Sequence, residues 1–293
     1  MVDSNGTPIT IAIVGVGEMG AAVGRRLREC GARVVTSLTR RSDMSARRAR
    51  DAQLEIVVND NELVDGASFV LSIVPPAAAL EVAQRLRDQL RRASPQPIFV
   101  ECNAIAPTTT RRIAALLETE NFIDGGIIGG PPPAGQREPA KGPRFYLSGP
   151  QAARATRLVE FGLDIAVLDG PIGAASALKL SYAGLTKGFT ALAAAMVNAA
   201  ARAGLTEALR VELARTQPEM LARLERFVPQ MFPKAYRWVA EMEEIAAYVG
   251  TPGEGAMLYQ GAACLYAELA AQVGGEHSAA SLEHLVSFCR RSI

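Results

Sequence analysis

Two patterns of hydrophobic and polar positions follow one another along the chain. Up to about residue 168, short β-branched and apolar runs alternate with stretches whose apolar positions recur at helical spacing. This alternation is typical of a parallel β-sheet whose strands are joined by crossover helices. It predicts strands at Ile9–Val14, Arg33–Leu38, Glu55–Val58, Phe69–Val74, Ile98–Cys102, Phe122–Ile128, Arg144–Ser148 and Ile165–Leu168.

Helical spacing dominates the rest of the chain. The strand pattern ends at Gly170-Pro171-Ile172-Gly173, and glycines and prolines separate the segments that follow. The longest predicted helix is the apolar segment Ala174–Arg202. Further helices are predicted at Met19–Glu29, Ala77–Arg92, Pro107–Glu120, Thr206–Thr216, Glu219–Met231, Lys234–Tyr248, Gly255–Val273 and Ser278–Arg291.

A glycine-rich turn follows the first predicted strand. The sequence Gly15-Val16-Gly17-Glu18-Met19-Gly20 closes an apolar run and opens a helix, which is the context that a G-x-G-x-x-G sequence needs to bind a dinucleotide. Gly15 permits the tight turn, Gly17 lets the pyrophosphate approach the backbone, and Gly20 allows close packing of helix on strand. We therefore predict an α/β fold, with a Rossmann dinucleotide-binding domain over residues 1–169 and an all-helical domain over residues 170–293.

The end of the second predicted strand bears on the choice of cofactor. NAD-binding domains usually carry an Asp or Glu about 20 residues beyond the glycines, whereas this chain has Thr39-Arg40-Arg41 there and no acid before Asp43. Guanidinium groups bind phosphate through paired N–H donors. We expect Thr39, Arg40 and Arg41 to bind the 2′-phosphate of NADP, with NAD as the alternative.

Composition argues against several classes of function. The 31 basic and 30 acidic side chains give a formal net charge of +1, and the local arginines come without a nucleic-acid-reading motif. The cysteines and histidines have neither metal-ligand spacing nor the pattern of a disulfide framework. No signal peptide or spanning apolar run is recognisable. We expect a cytoplasmic protein that binds no metal, nucleic acid or membrane.

Three segments together resemble the β-hydroxyacid dehydrogenase family, which includes 6-phosphogluconate and 3-hydroxyisobutyrate dehydrogenases. The glycine loop shares the family's Met-Gly ending, residues 122–130 are similar to its substrate-binding segment, and residues 173–179 are similar to its catalytic segment, which leads to a lysine. Residues 238–245 resemble a branch whose C-terminal domain has no settled function. The resemblance implies hydride transfer between NADP and the hydroxyl-bearing carbon of a small hydroxy acid. It also implies Lys179 as proton shuttle and a homodimer formed through the helical domain.

Several positions depart from the family pattern. Ala183 and Thr186 stand where the family has an Asn four residues after the lysine and where phosphogluconate dehydrogenases have a glutamate seven residues after it. A Ser-Gly-Gly segment is replaced by Ile128-Gly129-Gly130, and a serine-containing loop by Cys102-Asn103-Ala104. These departures argue against 6-phosphogluconate and leave the substrate open.

Further candidates follow from position at strand ends. Val74, Pro75 and Asn103 end the fourth and fifth strands, where such sheets bind ligands, so we expect them to border the cofactor; strand termination and a simple turn are the alternatives. Gly125 and Gly126 offer backbone N–H groups to a substrate carboxylate, or else form a tight turn.

The helical part offers three candidate substrate-binding residues. Tyr182, three residues after Lys179, is a candidate for the role of the missing Asn. Trp238 and Glu244 are candidates for completing the site of a neighbouring subunit, with an exposed acidic helix as the alternative. Two other functions also remain open, an imine reductase and an NADP-binding redox sensor without turnover.

Overall fold

Two compact units make up the chain, one ending at Leu180 and the other beginning at Ser181. They are described by a computed structural model over residues 9–250, 254–273 and 280–289. The predicted α/β class is confirmed, because the first unit contains a β-sheet with helices and the second is helical. The boundary placed at residue 169 from the sequence stays a prediction.

All eight predicted strands occur, with ends within two residues of the predicted ones. They form a single sheet in the order β3-β2-β1-β4-β5-β6-β7-β8. The order reverses between β1 and β4, and such a switch point is where dinucleotides bind in Rossmann folds. The strands are β1 (Thr10–Val14), β2 (Arg33–Ser37), β3 (Glu55–Val57), β4 (Phe69–Ser72), β5 (Ile98–Glu101), β6 (Phe122–Ile128), β7 (Arg144–Ser148) and β8 (Asp164–Val167).

One strand pair corrects the expectation of a parallel sheet. Strands β6 and β7 are antiparallel, with Asp124 opposite Ser148 and Ile128 opposite Arg144, whereas the other neighbours in the sheet are parallel. A parallel connection needs a crossover, usually a helix. The glycine- and proline-rich segment between these strands contains only a short 3₁₀ turn, Pro139–Lys141, and the chain therefore reverses direction.

Helices and irregular segments cover both faces of the sheet. Ile11 and Ile13 of β1 join one buried apolar cluster, while Ala12 and Val14 join another, as expected for a strand whose successive side chains point to opposite faces. The α-helices of this unit are α1 (Glu18–Glu29), α2 (Asp43–Asp51), α3 (Asp60–Val64), α4 (Ala79–Arg92) and α5 (Pro107–Leu117).

The predicted helix Ala174–Arg202 is interrupted. It consists of α6 (Ala174–Ala183), a π turn over Gly184–Gly188, and α7 (Phe189–Arg202). Regular α-helical spacing is therefore interrupted between α6 and α7. The predicted helix Ser278–Arg291 has both ends outside the described residues. The second unit continues with α8 (Thr206–Thr216), α9 (Pro218–Met231), α10 (Ala235–Val249), α11 (Glu254–Val273) and α12 (Ala280–Cys289).

Membrane-spanning character is absent from the part of the chain that the structure describes. No helix there combines the length and the apolar composition needed to cross a bilayer.

Candidate active site

The glycine loop between β1 and α1 is shaped by two steric requirements. Gly15 has a φ of +99°, and a Cβ atom there would lie 2.4 Å from the carbonyl oxygen of Ile73. A Cβ on Gly20 would lie 1.9 Å from the carbonyl oxygen of Gly15. Both glycines are therefore required by the protein's own packing, as predicted from the sequence.

Gly17 differs, because the protein leaves space around it. No described atom would lie within 4 Å of a Cβ built at Gly17, although the residue begins α1 as its N-cap. Val16 is buried beside it, while Glu18 is exposed and Met19 is half-buried. The open N-terminus of α1 presents backbone N–H groups and a partial positive charge, which suits the pyrophosphate of a dinucleotide.

The turn after β2 presents the two predicted arginines. The Thr39 N–H donates to Ser37 Oγ (3.3 Å), the Arg41 N–H donates to the Leu38 carbonyl (3.0 Å), and Arg40 adopts a left-handed φ of +58°. Arg40 and Thr39 are exposed, whereas Arg41 is half-buried. This turn lies at the carboxyl end of β2, where a Rossmann fold holds the adenosine ribose.

A third arginine, which the sequence analysis missed, joins this region. Burial lowers the pKa of Arg41, and the positive charge of Arg85 on α4 lowers it further, whereas the negative charges of Asp60 and Glu81 raise it. Arg85 Nε lies 3.1 Å from Asp60 Oδ2. Two guanidinium groups held near one another form a site for a multiply charged anion. No local sequence signal indicates Arg85, because the fold alone brings α4 close to the turn after β2.

Four buried polar side chains cross the sheet in register. Ser72 of β4 pairs with Glu101 of β5, Glu101 with Asp124 of β6, and Asp124 with Ser148 of β7. Each is fully buried. We call this set the polar row; Ser72 and Glu101 end β4 and β5, at the edge where such sheets bind ligands, whereas Asp124 is the third residue of β6, which extends beyond the row to Ile128.

Asn103 connects Ser72 and Glu101 of the polar row to the turn after β4, where we expect the cofactor to bind. Its Oδ1 accepts a hydrogen bond from the Val74 N–H (2.6 Å), and its Nδ2 donates to Ser72 Oγ (3.0 Å). Its own N–H donates to Glu101 Oε1 (3.0 Å). The Asn103 side chain thus fixes the turn after β4, where Val74 is buried and Pro75 is exposed. The cofactor contacts expected of these three residues stay predictions.

Glu101 is one of the two acids of the polar row and is fully buried. Burial raises the pKa of its carboxyl to about 8, and the neighbouring Asp124 adds to the rise, while hydrogen bonds with Asn103 and Ser72 oppose it. Burial also raises the pKa of the adjacent Cys102 thiol. Glu101 was not predicted as a site residue, since an acid at the end of an apolar strand gives no local indication of its surroundings.

Asp124 caps the helix that carries Lys179. Its Oδ2 accepts hydrogen bonds from the N–H groups of Gly173 (2.8 Å), Ala175 (2.9 Å) and Ser176 (3.2 Å). The Ser148 hydroxyl donates to Oδ2 (2.8 Å) and the Ser176 hydroxyl to Oδ1 (2.5 Å). A carboxylate satisfies and charge-stabilises the start of a helix in this position, so β6 anchors α6 directly.

Gly126 brings Lys179 close to the same strand. A Cβ on Gly126 would lie 2.8 Å from the Ala175 carbonyl oxygen and 3.0 Å from Lys179 Cβ. Gly125 is similarly enclosed, by the Glu101 carbonyl oxygen and Cys102 Sγ. Both glycines lie inside β6, so the alternative of a tight turn is wrong. The absent side chain of Gly126 admits α6, and that of Gly125 admits Glu101 and Cys102 at the end of β5. The predicted contact of both glycines with substrate stays a prediction.

Lys179 is half-buried on α6, one turn beyond the residues that Asp124 caps. Its position is determined by the cap at one end and by the close approach to Gly126 along the strand. These two contacts, both within the first unit, fix the position of the helix that carries Lys179, the predicted proton shuttle.

The remaining candidates lie in the second unit, including Tyr182, although the helix that carries it, α6, begins in the first. Tyr182 is half-exposed. Trp238 packs edge-on against Tyr266, with ring centroids 5.2 Å apart, and Lys187 Nζ lies 5.1 Å from the Trp238 ring centroid. Lys187 also forms an ion pair with Glu241.

The acidic segment around Glu241 is only partly exposed. Glu241 is buried, Glu244 is half-buried and Glu243 is exposed, so a wholly exposed acidic helix is wrong. No group of three or more metal-ligating side chains is found within residues 9–250, 254–273 and 280–289.

Two known protein families match different parts of the chain. Residues 10–158 match the NAD binding domain of 6-phosphogluconate dehydrogenase, and residues 200–269 match a domain of unknown function (DUF1932). The first match spans β1 to the segment before β8 and includes the glycine loop.

Individual proteins show the same relationship. A conserved protein of unknown function, described as structurally similar to 3-hydroxyacid dehydrogenases, is 27% identical with a TM-score of 0.66, over 91% of this chain and 100% of its own. The Mycobacterium tuberculosis 3-hydroxyisobutyrate dehydrogenase, solved with L-serine, shares the fold at 21% identity with a TM-score of 0.66, over 95% and 99% of the two chains. The NAD-dependent L-serine dehydrogenase of Pseudomonas aeruginosa is 30% identical over 132 residues, 41% of each chain.

Proposed function

Because this chain belongs to the family of the 6-phosphogluconate dehydrogenase NAD-binding domain, we propose that it is an oxidoreductase acting on the hydroxyl-bearing carbon of a small hydroxy acid, with NADP as cofactor. The observation that carries the proposal is the placement of Lys179. The cap by Asp124 and the glycine at position 126 hold α6 against β6, at the sheet edge where the glycine loop also opens.

The reaction needs one hydride acceptor and one proton acceptor. Bound NADP supplies hydride transfer at its nicotinamide ring. In the oxidation direction, Lys179 Nζ accepts the proton of the substrate hydroxyl group while a hydride leaves the carbon that bears this hydroxyl, and a carbonyl group forms. In the reduction direction, the hydride returns to that carbon and Lys179 returns the proton to the oxygen. The half-buried position of Lys179 allows it to reach a substrate while remaining fixed by its helix.

NADP is favoured over NAD by the charge around the turn after β2. Arg40 and Arg41 lie in the turn, Arg85 lies near Arg41, and no acid precedes Asp43 in the segment that follows β2. A 2′-phosphate would relieve the repulsion between the guanidinium groups through charge-assisted hydrogen bonds. An acid in this position would instead have favoured the ribose hydroxyls of NAD.

The substrate class rests on the relatives. One relative is named for oxidation of L-serine and another, solved with L-serine, for 3-hydroxyisobutyrate. Both compounds are small acids with a hydroxyl group on the carbon next to the α-carbon. We take this 3-hydroxy acid group as the feature that the site recognises, with Gly125, Gly126 and Tyr182 as the candidate contacts.

The deciding experiment is reduction of NADP and of NAD by the purified protein with a panel of small 3-hydroxy acids. Lys179→Ala is compared with Lys141→Ala, whose lysine is exposed in the β6–β7 connection. We expect turnover with NADP that Lys179→Ala abolishes and Lys141→Ala preserves. Unchanged turnover in Lys179→Ala would refute the proton shuttle. NADPH binding without turnover of hydroxy acids or imines would identify a sensor instead.

A homodimer through the helical domain is the proposed assembly. An open groove of about 850 Å³ in the second unit is lined by exposed apolar side chains, including Leu185, Leu192 and Leu258. Exposed apolar surface of this kind is typical of a protein interface. Analytical ultracentrifugation should give a dimer that Leu192→Glu dissociates and that Val211→Glu, exposed outside this groove, leaves intact.

A cytoplasmic location is favoured by the cysteines. All four, Cys30, Cys102, Cys264 and Cys289, are free thiols, as is usual in a reducing compartment. Fractionation of the source cells with alkylation of thiols tests this, and recovery outside the cytoplasm would refute it.

A further inference from the structure

Glu101 occupies the centre of the polar row without being able to touch a ligand. It is fully buried at the end of β5, between Ser72 on one neighbouring strand and Asp124 on the other. The mechanism proposed above does not use it. A carboxyl group in such a place is costly unless it is neutral or well paired.

Its hydrogen bonds lead to the predicted cofactor side of the site. Glu101 Oε1 accepts the Asn103 N–H (3.0 Å), and Asn103 Oδ1 accepts the Val74 N–H (2.6 Å). Glu101 therefore supports Asn103, and Asn103 supports the backbone that leaves β4. This backbone is where the nicotinamide is expected to lie.

The two acids of the polar row are supported unequally. Asp124 accepts five hydrogen bonds, three from the start of α6 and two from hydroxyl groups. Glu101 Oε2 is buried and has no hydrogen-bond partner among the described residues. Since neighbouring strands lie about 4.8 Å apart, two negative charges here would repel each other strongly. Burial, the nearby Asp124 and the unpartnered Oε2 therefore favour the neutral form of Glu101, in agreement with its raised pKa.

We propose that Glu101 is a positioning residue whose carboxyl group holds the Asn103–Val74 turn in the geometry for hydride transfer, and whose ionisation places a second negative charge beside Asp124 and so disturbs the cap of α6. The inference rests on the proposed function for what the turn positions. The titratable groups beside Glu101 are Asp124 from β6 and the thiol of Cys102, the residue that follows β5. An ionised Glu101 would bind the Asn103 N–H more strongly but repel Asp124, whose hydrogen bonds cap α6 and thereby place Lys179.

The test compares the wild type and three variants by their pH profiles of kcat and KM with NADP, from about pH 6 to about pH 10. Glu101→Gln keeps an acceptor oxygen for Asn103 and imitates the neutral acid, whereas Glu101→Ala removes it. Glu118→Gln is the matched control, since Glu118 is exposed and pairs with Arg87 and Arg91.

We expect the wild-type kcat to include a decline centred near pH 8, which Glu118→Gln retains and Glu101→Gln loses. Glu101→Ala should lower kcat about tenfold or more, and Glu101→Gln should recover most of that loss, whereas KM for NADP changes little. A Glu101→Gln profile identical to the wild type, or an unaffected kcat in Glu101→Ala, would overturn the proposal.

A second measurement does not depend on turnover or on the variant folding. In wild-type protein labelled with ¹³C in the glutamate carboxyl groups, nuclear magnetic resonance should show one carboxyl that titrates near pH 8, whereas ordinary glutamates titrate near about 4.3. If this carboxyl is found and no hydroxy acid reacts, the proposed function fails and the neutral Glu101 stands. If every glutamate titrates in the ordinary range, the inference fails whatever the protein catalyses.

Discussion

Asp124 accepts hydrogen bonds from both the hydroxyl group and the backbone N–H of Ser176, at 2.5 and 3.2 Å. A strand residue thereby fixes the start of the helix that carries Lys179. Thr110 of α5 extends this connection, because its hydroxyl lies 2.8 Å from Ser176 Oγ.

Removing the Thr110 hydroxyl should affect catalysis more than stability alone explains. Thr110→Val should destabilise the fold by about 1 kcal/mol, the usual net contribution of a hydrogen bond, and lower kcat by loosening α6. Thr36→Val is a matched control, because Thr36 is equally buried and its hydroxyl donates to the Ile13 carbonyl (2.8 Å). Urea unfolding and steady-state kinetics measure both effects. Equal kcat in the two variants would contradict the positioning of Lys179 through Ser176.

Two glycines of the same loop should respond in opposite ways to substitution. Gly20→Ala should prevent stable folding, because its Cβ would lie 1.9 Å from the Gly15 carbonyl oxygen. Gly17→Val should fold with nearly wild-type stability, since no described atom is near that Cβ, yet bind NADPH at least about tenfold more weakly. Thermal unfolding and NADPH fluorescence titration provide the test. A Gly17→Val protein that binds NADPH normally would exclude the pyrophosphate from this loop.

Arg85 should contribute to cofactor choice although it lies far from the turn in sequence. Arg85→Gln should weaken NADPH binding about tenfold, which corresponds to one charge-assisted hydrogen bond, and leave NADH binding unchanged. Arg87→Gln is the control on the same helix, as Arg87 pairs with Glu118 on the surface. The test is to measure the dissociation constants of NADPH and of NADH for the wild type and for both variants. A parallel loss of NADH affinity would show that Arg85 supports the fold of the pocket instead.

The buried Glu101 should make stability depend on pH in a defined direction. Its pKa is raised to about 8 from 4.5, so its neutral form contributes full stability below about pH 4.5, and this stability is lost as pH rises to about 8. Glu101→Gln, which cannot ionise, should be more stable than wild type by a few kcal/mol at pH 8, at about 1.4 kcal/mol per pKa unit.

The difference between the two proteins should shrink as the pH falls toward 4.5. Urea unfolding at several pH values measures this trend. A constant difference between the variant and the wild type would show that Glu101 is already ionised in the folded protein.

The strands could be predicted from sequence because each is a short run with apolar or β-branched residues between turns, although β3 and β8 are not buried. Gly15, Gly17 and Gly20 were likewise recognisable, since their roles depend on neighbours within one strand–turn–helix unit. The direction of β7 was not predictable from its own residues, which alternate in the same way whichever way the strand runs. It depends on a connection without an α-helix.

The candidate site was predictable only where its contacts are local. Lys179 was found through its segment, but Asp124 was not, although it lies beside Gly125 and Gly126. Its partners at Gly173, Ala175 and Ser176 come from a helix that only the folded sheet brings near. The same holds for Arg85 and for Glu101, whose surroundings are assembled from separate strands and helices.

The π turn at Gly184–Gly188 changes how this chain must be aligned with its relatives. A π turn closes hydrogen bonds over one more residue than an α turn, and thus corresponds to a single-residue insertion in an otherwise continuous helix. Against a relative whose helix is regular, positions after the turn are offset by one. An alignment that runs unbroken from α6 into α7 would therefore compare residues from Phe189 onward with the wrong positions of such a relative.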